Sequence, residues 1–504
     1  MTHAVEVRDW GWRYAGRSAW AARDISFTLG EGERVLLLGA SGAGKSTLLA
    51  ALAGVLGDED EGEQTGSVLV GGKHPTRMRG AVGLVMQDPD AQVISQRIGD
   101  DVAFGCENLG MAREHIWPAV RAALDAVSLH LPLEHPTSAL SGGQKQRLAI
   151  AGALAMWSGS PADTRLLCLD EPTANLDPAG VNRVREAVAN VVADRRTTLV
   201  IVEHRVEVWS DLVDRVIVLA PGGGVLADGA PAEVFAERGP ELAAAGAWVP
   251  GVAPDIEPRN SPPPAGRPLL TGHRLTIGYQ TGRPVQSGLE VAIPPGRSTV
   301  VVGPNGTGKT TLALTLAGLL APLAGRVEAA EQLRPRHTGF LTRAMRRRFD
   351  PASPATWASR DLLTRLGVVF QNPEHQFVET SVRAELGVGL RALGRPGTEI
   401  TGRVDALLER LHLTGVADAN PFTLSGGEKR RLSVGTVLAT GPSLIVLDEP
   451  TFGQDRVTWT DLVRLVQAIL DEGRTIISVT HDDTYVRLLG ENLLALEPTG
   501  REAA

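Results

Sequence analysis

Cysteine is nearly absent. Only Cys106 and Cys168 occur in 504 residues, at no spacing that suits a metal. That excludes a disulfide framework and a structural zinc site, and it fits a reducing cytoplasm. Surplus positive charge is missing too: the formal net charge is −8, the wrong sign for the basic surface of most nucleic-acid binders. No uninterrupted apolar run reaches about 18 residues, so no segment is expected to span a bilayer by itself. The opening stretch MTHAVEVRDWGWRYAG holds no apolar core of the length a signal peptide needs. What remains is an intracellular protein of ordinary globular composition, free to sit against a membrane protein.

The length suggests about two to four domains, and the chain repeats itself. RVLLLGASGAGKSTLLAALAG (34–54) and STVVVGPNGTGKTTLALTLAG (298–318) both run from an apolar strand through glycines and a lysine into an apolar helix. Later landmarks recur in the same order. Lys45 and Lys309 are 264 residues apart, Gln87 and Gln371 284, Ser141 and Ser425 284, Asp170 and Asp448 278, and His204 and His481 277. The jump from 264 to 284 places about twenty extra residues in the second half, in the stretch 334–357. The fall to 278 places six extra in the first half, near 156–165. Between the repeats, the prolines of 248–267 oppose strand pairing and its polarity opposes burial, so it reads as a semi-stiff linker. The domains are expected at 4–247 and 268–500. Short apolar strands without polar alternation, RVLLLG, RLLCLDEP and TTLVIVEH in the first half and STVVVG, SLIVLDEP and TIISVTH in the second, indicate a sheet covered on both faces and an α/β fold.

Gly39, Ser41, Gly42, Gly44, Lys45 and Ser46, followed by Thr47, satisfy the phosphate-loop pattern, as do Gly303, Asn305, Gly306, Gly308, Lys309, Thr310 and Thr311. Glycines let successive backbone N–H groups turn toward one point, and the helix N-terminus adds positive potential there. The lysine can reach the β and γ phosphates, and Ser46 or Thr310 can ligate Mg²⁺. Asp170-Glu171 and Asp448-Glu449 each end an apolar strand. An aspartate so placed can hold Mg²⁺, and the adjacent glutamate can polarise an attacking water. A DEP triplet alone would be an ordinary capped strand end; its duplication beside two phosphate loops argues for chemistry.

LSGGQKQR (140–147) and LSGGEKRR (424–431) then add a second set of phosphate donors, Ser141, Gly142 and Gly143, and Ser425, Gly426 and Gly427, with Gln144 and Glu428 next to them in the expected ATP site. With these the sequence resembles the ATPase subunits of ABC transporters over nearly all of both halves. The resemblance implies two tandem P-loop NTPase domains, each with a mainly parallel sheet and a helical subdomain carrying the serine-glycine motif. It implies ATP and Mg²⁺ as ligands, and two nucleotides sandwiched so that the serine-glycine segment of one half closes on the phosphate loop of the other. It further implies that Gln87 and Gln371 touch Mg²⁺ and face the membrane partner, and that His204 and His481 contact the γ-phosphate. Tyr14, 31 residues before Lys45, and Tyr279, 30 before Lys309, suit an aromatic stacked on adenine, with Trp12 the competitor in half one. Asp177 ends ANLD after the first glutamate, but its counterpart Asp455 ends FGQD, with Gln454 where leucine is usual. That departure opens a difference in turnover between the two sites, and Glu203 opposite Thr480 is a milder one.

MQDPDAQVISQRIGDDVAFGCENLG (86–110) and FQNPEHQFVETSVRAELGVGLRALG (370–394) look like the ATPase subunits of energy-coupling factor importers, prokaryotic vitamin and metal-ion uptake systems. The implied partners are a membrane scaffold subunit and a substrate-capturing membrane subunit, at the cytoplasmic face of a bacterial membrane. The chain would be an intramolecular dimer needing no second copy. The alternatives are the fused ATPase of another importer class, or a ribosome-associated ABC protein, whose halves are usually joined by a long basic arm that is missing here. A DNA-repair ATPase would need a coiled coil or zinc modules, and neither occurs. The arginine cluster Arg343, Arg346, Arg347 and Arg348 reads as part of a solvated insert rather than a lipid contact.

Overall fold

The computed structural model describes residues 3–40, 42–57, 60–78, 80–158, 164–174, 176–259, 266–280, 282–335 and 349–498. The chain forms two compact units, Met1–Pro254 with Asp455–Val457, and Asp255–Gln454 with Thr458–Ala504.

The first unit contains β1 (Val5–Tyr14), β2 (Ala22–Leu29), β3 (Arg34–Gly39), α1 (Lys45–Ala53), β4 (Gly62–Val70) and β5 (Val82–Val85). There follow α2 (Ile98–Asn108), α3 (Arg113–Ala126), α4 (Gly142–Trp157), β6 (Arg165–Asp170), α5 (Pro178–Val191) and β7 (Thr197–Val202). The unit closes with α6 (Val206–Trp209), β8 (Arg215–Leu219), β9 (Val225–Gly229) and α7 (Pro231–Ala244). Its main sheet has the order β5-β6-β7-β3-β8-β9, parallel except for β9, and a separate antiparallel sheet has the order β2-β1-β4. The central strands β3, β6 and β7 are the apolar runs singled out in the sequence, and β7 is buried at all six positions. Burial on both faces is what leaves these strands without polar alternation.

The second unit contains β10 (Leu270–Ile277), β11 (Gln286–Ile293), β12 (Ser298–Val302), α8 (Lys309–Leu316), β13 (Ala324–Ala329), α9 (Ser359–Leu363) and β14 (Leu366–Val369). It continues with α10 (Val382–Ala392), α11 (Gly397–Arg410), α12 (Gly426–Thr440), β15 (Leu444–Asp448), α13 (Arg456–Asp471), β16 (Thr475–Val479), α14 (Asp483–Leu489) and β17 (Asn492–Ala495). Its main sheet, β14-β15-β16-β12-β17, is wholly parallel, and its antiparallel sheet is β11-β10-β13.

In both units a long helix beginning at the serine-glycine segment packs against the sheet edge, and a repeated glycine makes room for it. A Cβ at Gly83 would lie 2.5 Å from Ala153 Cβ, and one at Gly367 would lie 2.2 Å from Val437 Cγ1. Those helices, α4 and α12, carry the motif away from the sheet with α2 and α3, or α10 and α11, beside them.

The proline-rich stretch is less free than its composition suggested. Val249 is buried with the first unit's core. From Asp255 onward the backbone is held by the second unit: Arg464 donates to the Asp255 carbonyl at 3.2 Å, Gln467 to that of Glu257 at 2.9 Å, and Arg259 N–H to that of Leu488 at 2.9 Å. Polar backbone can be anchored by side-chain donors without burying apolar surface, which a hydrophobicity reading misses. Leu333, just before the inserted stretch, and Trp357, at its end, lie in the core; the arginine cluster at 343–348 lies outside the described residues, as does most of the six-residue excess near 156–165.

Candidate active sites

Each phosphate loop starts at the C-terminal end of a central strand, β3 or β12, and ends in the left-handed N-cap of a helix, Gly44 (φ 87°) before α1 and Gly308 (φ 90°) before α8. Only glycine adopts that conformation without strain, and a Cβ at Gly44 would also stand 2.5 Å from the Ala21 carbonyl oxygen. Gly39, Gly42, Gly303 and Gly306 also have positive φ; Ser41 lies outside the described residues. Lys45 and Lys309, both largely buried, curl back over their own loops. Lys45 Nζ donates to the carbonyls of Gly39 (2.8 Å) and Ala40 (2.9 Å), and Lys309 Nζ to those of Gly303 (2.8 Å) and Pro304 (3.0 Å). Burial holds the Lys45 ammonium below its usual pKa, so an arriving polyphosphate would meet a poorly solvated cation.

The next residue on each helix faces the aspartate that ends β6 or β15. Thr310 Oγ1 donates to Asp448, with its two oxygens at 2.9 and 3.2 Å. Burial raises the Asp170 pKa to about 6, a shift that a hydrogen bond from Ser46 opposes and the Glu171 charge reinforces. Burial raises that of Asp448 as well. A hydroxyl and a carboxylate side by side at the mouth of a phosphate loop are hard oxygen donors, too few to hold a metal alone. That suits Mg²⁺, which keeps waters and takes phosphate oxygens.

Glu171 and Glu449 follow with φ of 47° and 45°, in the left-handed region where a non-glycine residue is strained. In the first unit Gln87 Nε2 donates to Glu171 Oε2 at 2.7 Å, and His204 Nε2 lies 3.1 Å from Glu171 Oε1. Burial disfavours charge on His204, yet the Glu171 carboxylate overrides it and raises its pKa. In the second unit His481 Nε2 lies 3.7 Å from Glu449 Oε1 and 3.0 Å from Asn305 Oδ1 of the phosphate loop. Burial, with Asp448 next, pushes the Glu449 carboxyl up to about 7. Each unit therefore gathers loop, aspartate, glutamate and histidine into one cluster. Gln87 joins the first directly; Gln371 follows β14 in the second, its carbonyl held by Arg430 at 2.8 Å.

The remaining expected residues occupy distinct places. Ser141 and Ser425 are exposed N-caps of α4 and α12, each closing a reciprocal capping box with Gln144 or Glu428. Gly142, Gly143, Gly426 and Gly427 form the first turns, with Leu176 under the first pair and Gln454 beside Gly427. The glutamine of FGQD thus fills the place of the leucine of ANLD. Asp177 caps α5, accepting from Gly180 N–H at 2.7 Å, and Asp455 is buried. Thr47 and Thr311 are buried on their helices. Tyr14 is 38% exposed, its hydroxyl 3.3 Å from Thr47 Oγ1, whereas Trp12 is 3% exposed, so Tyr14 is the ring open to a ligand. Tyr279 is exposed.

Several residues tie these parts together, and of them sequence reasoning singled out only Gln92 and Gln376, as the ends of the segments Gln87–Gln92 and Gln371–Gln376. Lys145 pairs with Asp90 and Lys429 with Glu374 (2.6 Å), joining the serine-glycine helix to the glutamine segment in each unit. Gln92 and Gln376 close that segment back onto the strand before it, accepting from Met86 N–H (2.8 Å) and Phe370 N–H (3.1 Å). All three positions recur at the 284-residue offset, Lys145 and Gln92 unchanged and Asp90 as Glu374, a signal already present in the sequence. Arg430, 3% exposed, adds a clamp on the Phe370 and Gln371 carbonyls (2.9 and 2.8 Å), while the equivalent Gln146 has no side-chain hydrogen bond among the described residues.

The family model described as "ABC transporter" matches residues 22–174 and 287–452, once in each half. A Bacillus subtilis (strain 168) protein, provisionally named HMP/thiamine import ATP-binding protein YkoD, is 33% identical over 95% of this chain and 87% of its own length. A Methanosarcina acetivorans protein, provisionally named an ABC transporter ATP-binding protein, is 32% identical over 96% of this chain and 83% of its own. The solved structure of the archaeal ribosome recycling factor aABCE1, in complex with the stalk protein aP1, matches with a TM-score of 0.60 at 20% identity. It covers 97% of this chain and 87% of that one, a likeness of fold alone. No described helix is long and apolar enough to cross a membrane. The chain belongs to the ABC transporter family, as an ATP-binding ATPase subunit carrying two of that family's domains in tandem.

Proposed function

We propose that this ATPase energises a membrane importer of the energy-coupling factor type, taking up a vitamin or a transition-metal ion, by closing its two halves on ATP and reopening them on hydrolysis. The observation that carries the reading is that each unit has, besides its phosphate-loop cluster, an exposed serine-capped helix start, which supports a second phosphate contact. Site one would combine Lys45, Ser46, Gln87, Asp170, Glu171 and His204 with Ser425–Gly427. Site two would combine Lys309, Thr310, Gln371, Asp448, Glu449 and His481 with Ser141–Gly143. Tyr14 and Tyr279 would stack on adenine, and Asp177 and Asp455 would line the same pockets. Ser46, Gln87 and Asp170, or Thr310, Gln371 and Asp448, would hold a Mg²⁺ ion, which would supply positive charge against that developing on the phosphates. Glu171 and Glu449 would take the proton of the attacking water, with the histidines holding the glutamates and the γ-phosphate in register.

The importer class rests on the segments 86–110 and 370–394. They present Met86, Ile94, Phe104 and Val378 to solvent at 40, 61, 38 and 74% exposure, an apolar seat suited to a helix of the membrane scaffold at the cytoplasmic face. The import name borne by the Bacillus subtilis relative supports the same direction.

The test is turnover and partner capture. E171Q/E449Q should lose ATP hydrolysis by about a hundredfold or more while still binding ATP. The chain purified from its native membrane should bring down integral-membrane subunits. Full turnover in that variant would remove the assigned base; ribosomes in place of membrane subunits would replace transport with the ribosomal alternative.

A further inference from the structure

The strained turn that presents each glutamate has to be held from behind, because a non-glycine residue keeps positive φ only where its surroundings over-determine it. The anchor point is a threonine two residues further on. In the first unit the Thr173 hydroxyl donates to Glu203 Oε2, and the Thr173 N–H donates to the same oxygen at 3.3 Å. The other oxygen, Glu203 Oε1, accepts the N–H groups of His204 (2.9 Å) and Arg205 (3.4 Å). One buried carboxylate thereby fastens the glutamate turn to the histidine segment.

The second unit has Thr480 at that position, yet the fastening is still made. Here the carboxylate comes from the other side of the histidine: Asp482 Oδ2 accepts the Thr451 hydroxyl (3.0 Å) and Trp459 Nε1 (2.6 Å), and Oδ1 accepts the N–H groups of Thr484 (2.9 Å) and Tyr485 (3.0 Å). Thr480 Oγ1 accepts from Asp482 N–H at 3.1 Å. The triplets Glu203-His204-Arg205 and Thr480-His481-Asp482 reach the same threonine from opposite neighbours of the histidine.

We propose that Glu203 and Asp482 are equivalent positioning residues, each locking the turn that carries the water-polarising glutamate to the histidine that faces it. This rests on the role given to Glu171 and Glu449 above. The second solution should be transplantable into the first unit, because Arg205 stands at the N-cap of α6 with no side-chain cap bond, the place from which Asp482 caps α14.

The experiment uses the full chain in an E449Q background, where residual turnover reports Glu171. E203T should lower kcat about tenfold to a hundredfold, the scale of a misplaced catalytic group, while ATP affinity stays within about threefold. E203T/R205D should restore kcat to within about threefold of E449Q alone. Should E203T fold poorly, the near-isosteric T173V removes the donor end of the same bond and should lower kcat at unchanged ATP affinity. Undiminished kcat in E203T or T173V, or E203T/R205D no faster than E203T with ATP still bound, overturns the proposal and leaves the glutamate assignment intact. Turnover surviving in E171Q/E449Q would overturn both, and is measured alongside.

Discussion

Replacing the phosphate-loop lysines by methionine separates nucleotide binding from folding. Lys45 is 8% exposed and its ammonium spends two hydrogen bonds on its own loop carbonyls, at 2.8 and 2.9 Å. K45M forfeits those bonds, about 1.5–3 kcal/mol each as charge-assisted contacts. It also relieves the burial of a cation, a penalty of several kcal/mol with the opposite sign. The two nearly cancel, so the nucleotide-free protein should stay within about 1 kcal/mol of its parent, a shift in Tm of about 2–4 °C for a unit of this size. Binding has no such cancellation, because the bonds that the lysine would turn toward the phosphates are lost outright. At a hundred times Kd, ATP stabilises the state it binds by about 2.7 kcal/mol per site. Calorimetry on the E171Q/E449Q chain, with and without ATP, should show that stabilisation cut for one site by K45M or K309M and abolished by K45M/K309M. Equilibrium dialysis should give about two, one and no nucleotides per chain in turn. A K45M/K309M protein keeping the full ATP shift would refute the assignment of both loops, and a large loss of Tm without ATP would refute the cancellation.

Three further outcomes follow from the packing and burial. G367V should destabilise the chain by about 1–3 kcal/mol through overpacking, since even a Cβ there would stand 2.2 Å from Val437 Cγ1; unchanged thermal unfolding would show that α12 can shift away. S141A and S425A should each cost about 1 kcal/mol by opening a capping box, read as a lower denaturation midpoint at constant m-value. Burial pushes the thiols of Cys106 and Cys168 above their ordinary range, that of Cys168 far above. Thiolate is then scarce at pH 8, and iodoacetamide should label neither cysteine until the chain is unfolded in urea.

Much of this was legible in the residues because phosphate chemistry imposes local patterns. The loop glycines, the strand-ending Asp-Glu pairs and the serine-glycine helix starts all lie within short windows, and the repeat placed them in order. The buried strands β3, β6, β7, β12, β15 and β16 were readable for the same reason, since burial on both faces removes polar alternation. The antiparallel sheets β2-β1-β4 and β11-β10-β13 were not foreseen: they are half-exposed, and the pairings β1-β4 and β10-β13 join segments far apart in the chain. The anchoring of Asp255–Arg259 was hidden because it is made by backbone carbonyls and distant donors. Glu203 opposite Thr480 read as an asymmetry between the halves. Only the fold shows that Asp482 supplies the same carboxylate from the other side of the histidine.

The central claim is that each triphosphate is gripped by both halves of one chain, and the most direct measurement is a structure of E171Q/E449Q with ATP and Mg²⁺. The account predicts Ser425–Gly427 on the γ-phosphate held by Lys45, and Ser141–Gly143 on that held by Lys309, within a monomer. A γ-phosphate enclosed by a single unit, or closed by a second copy of the chain, would contradict it.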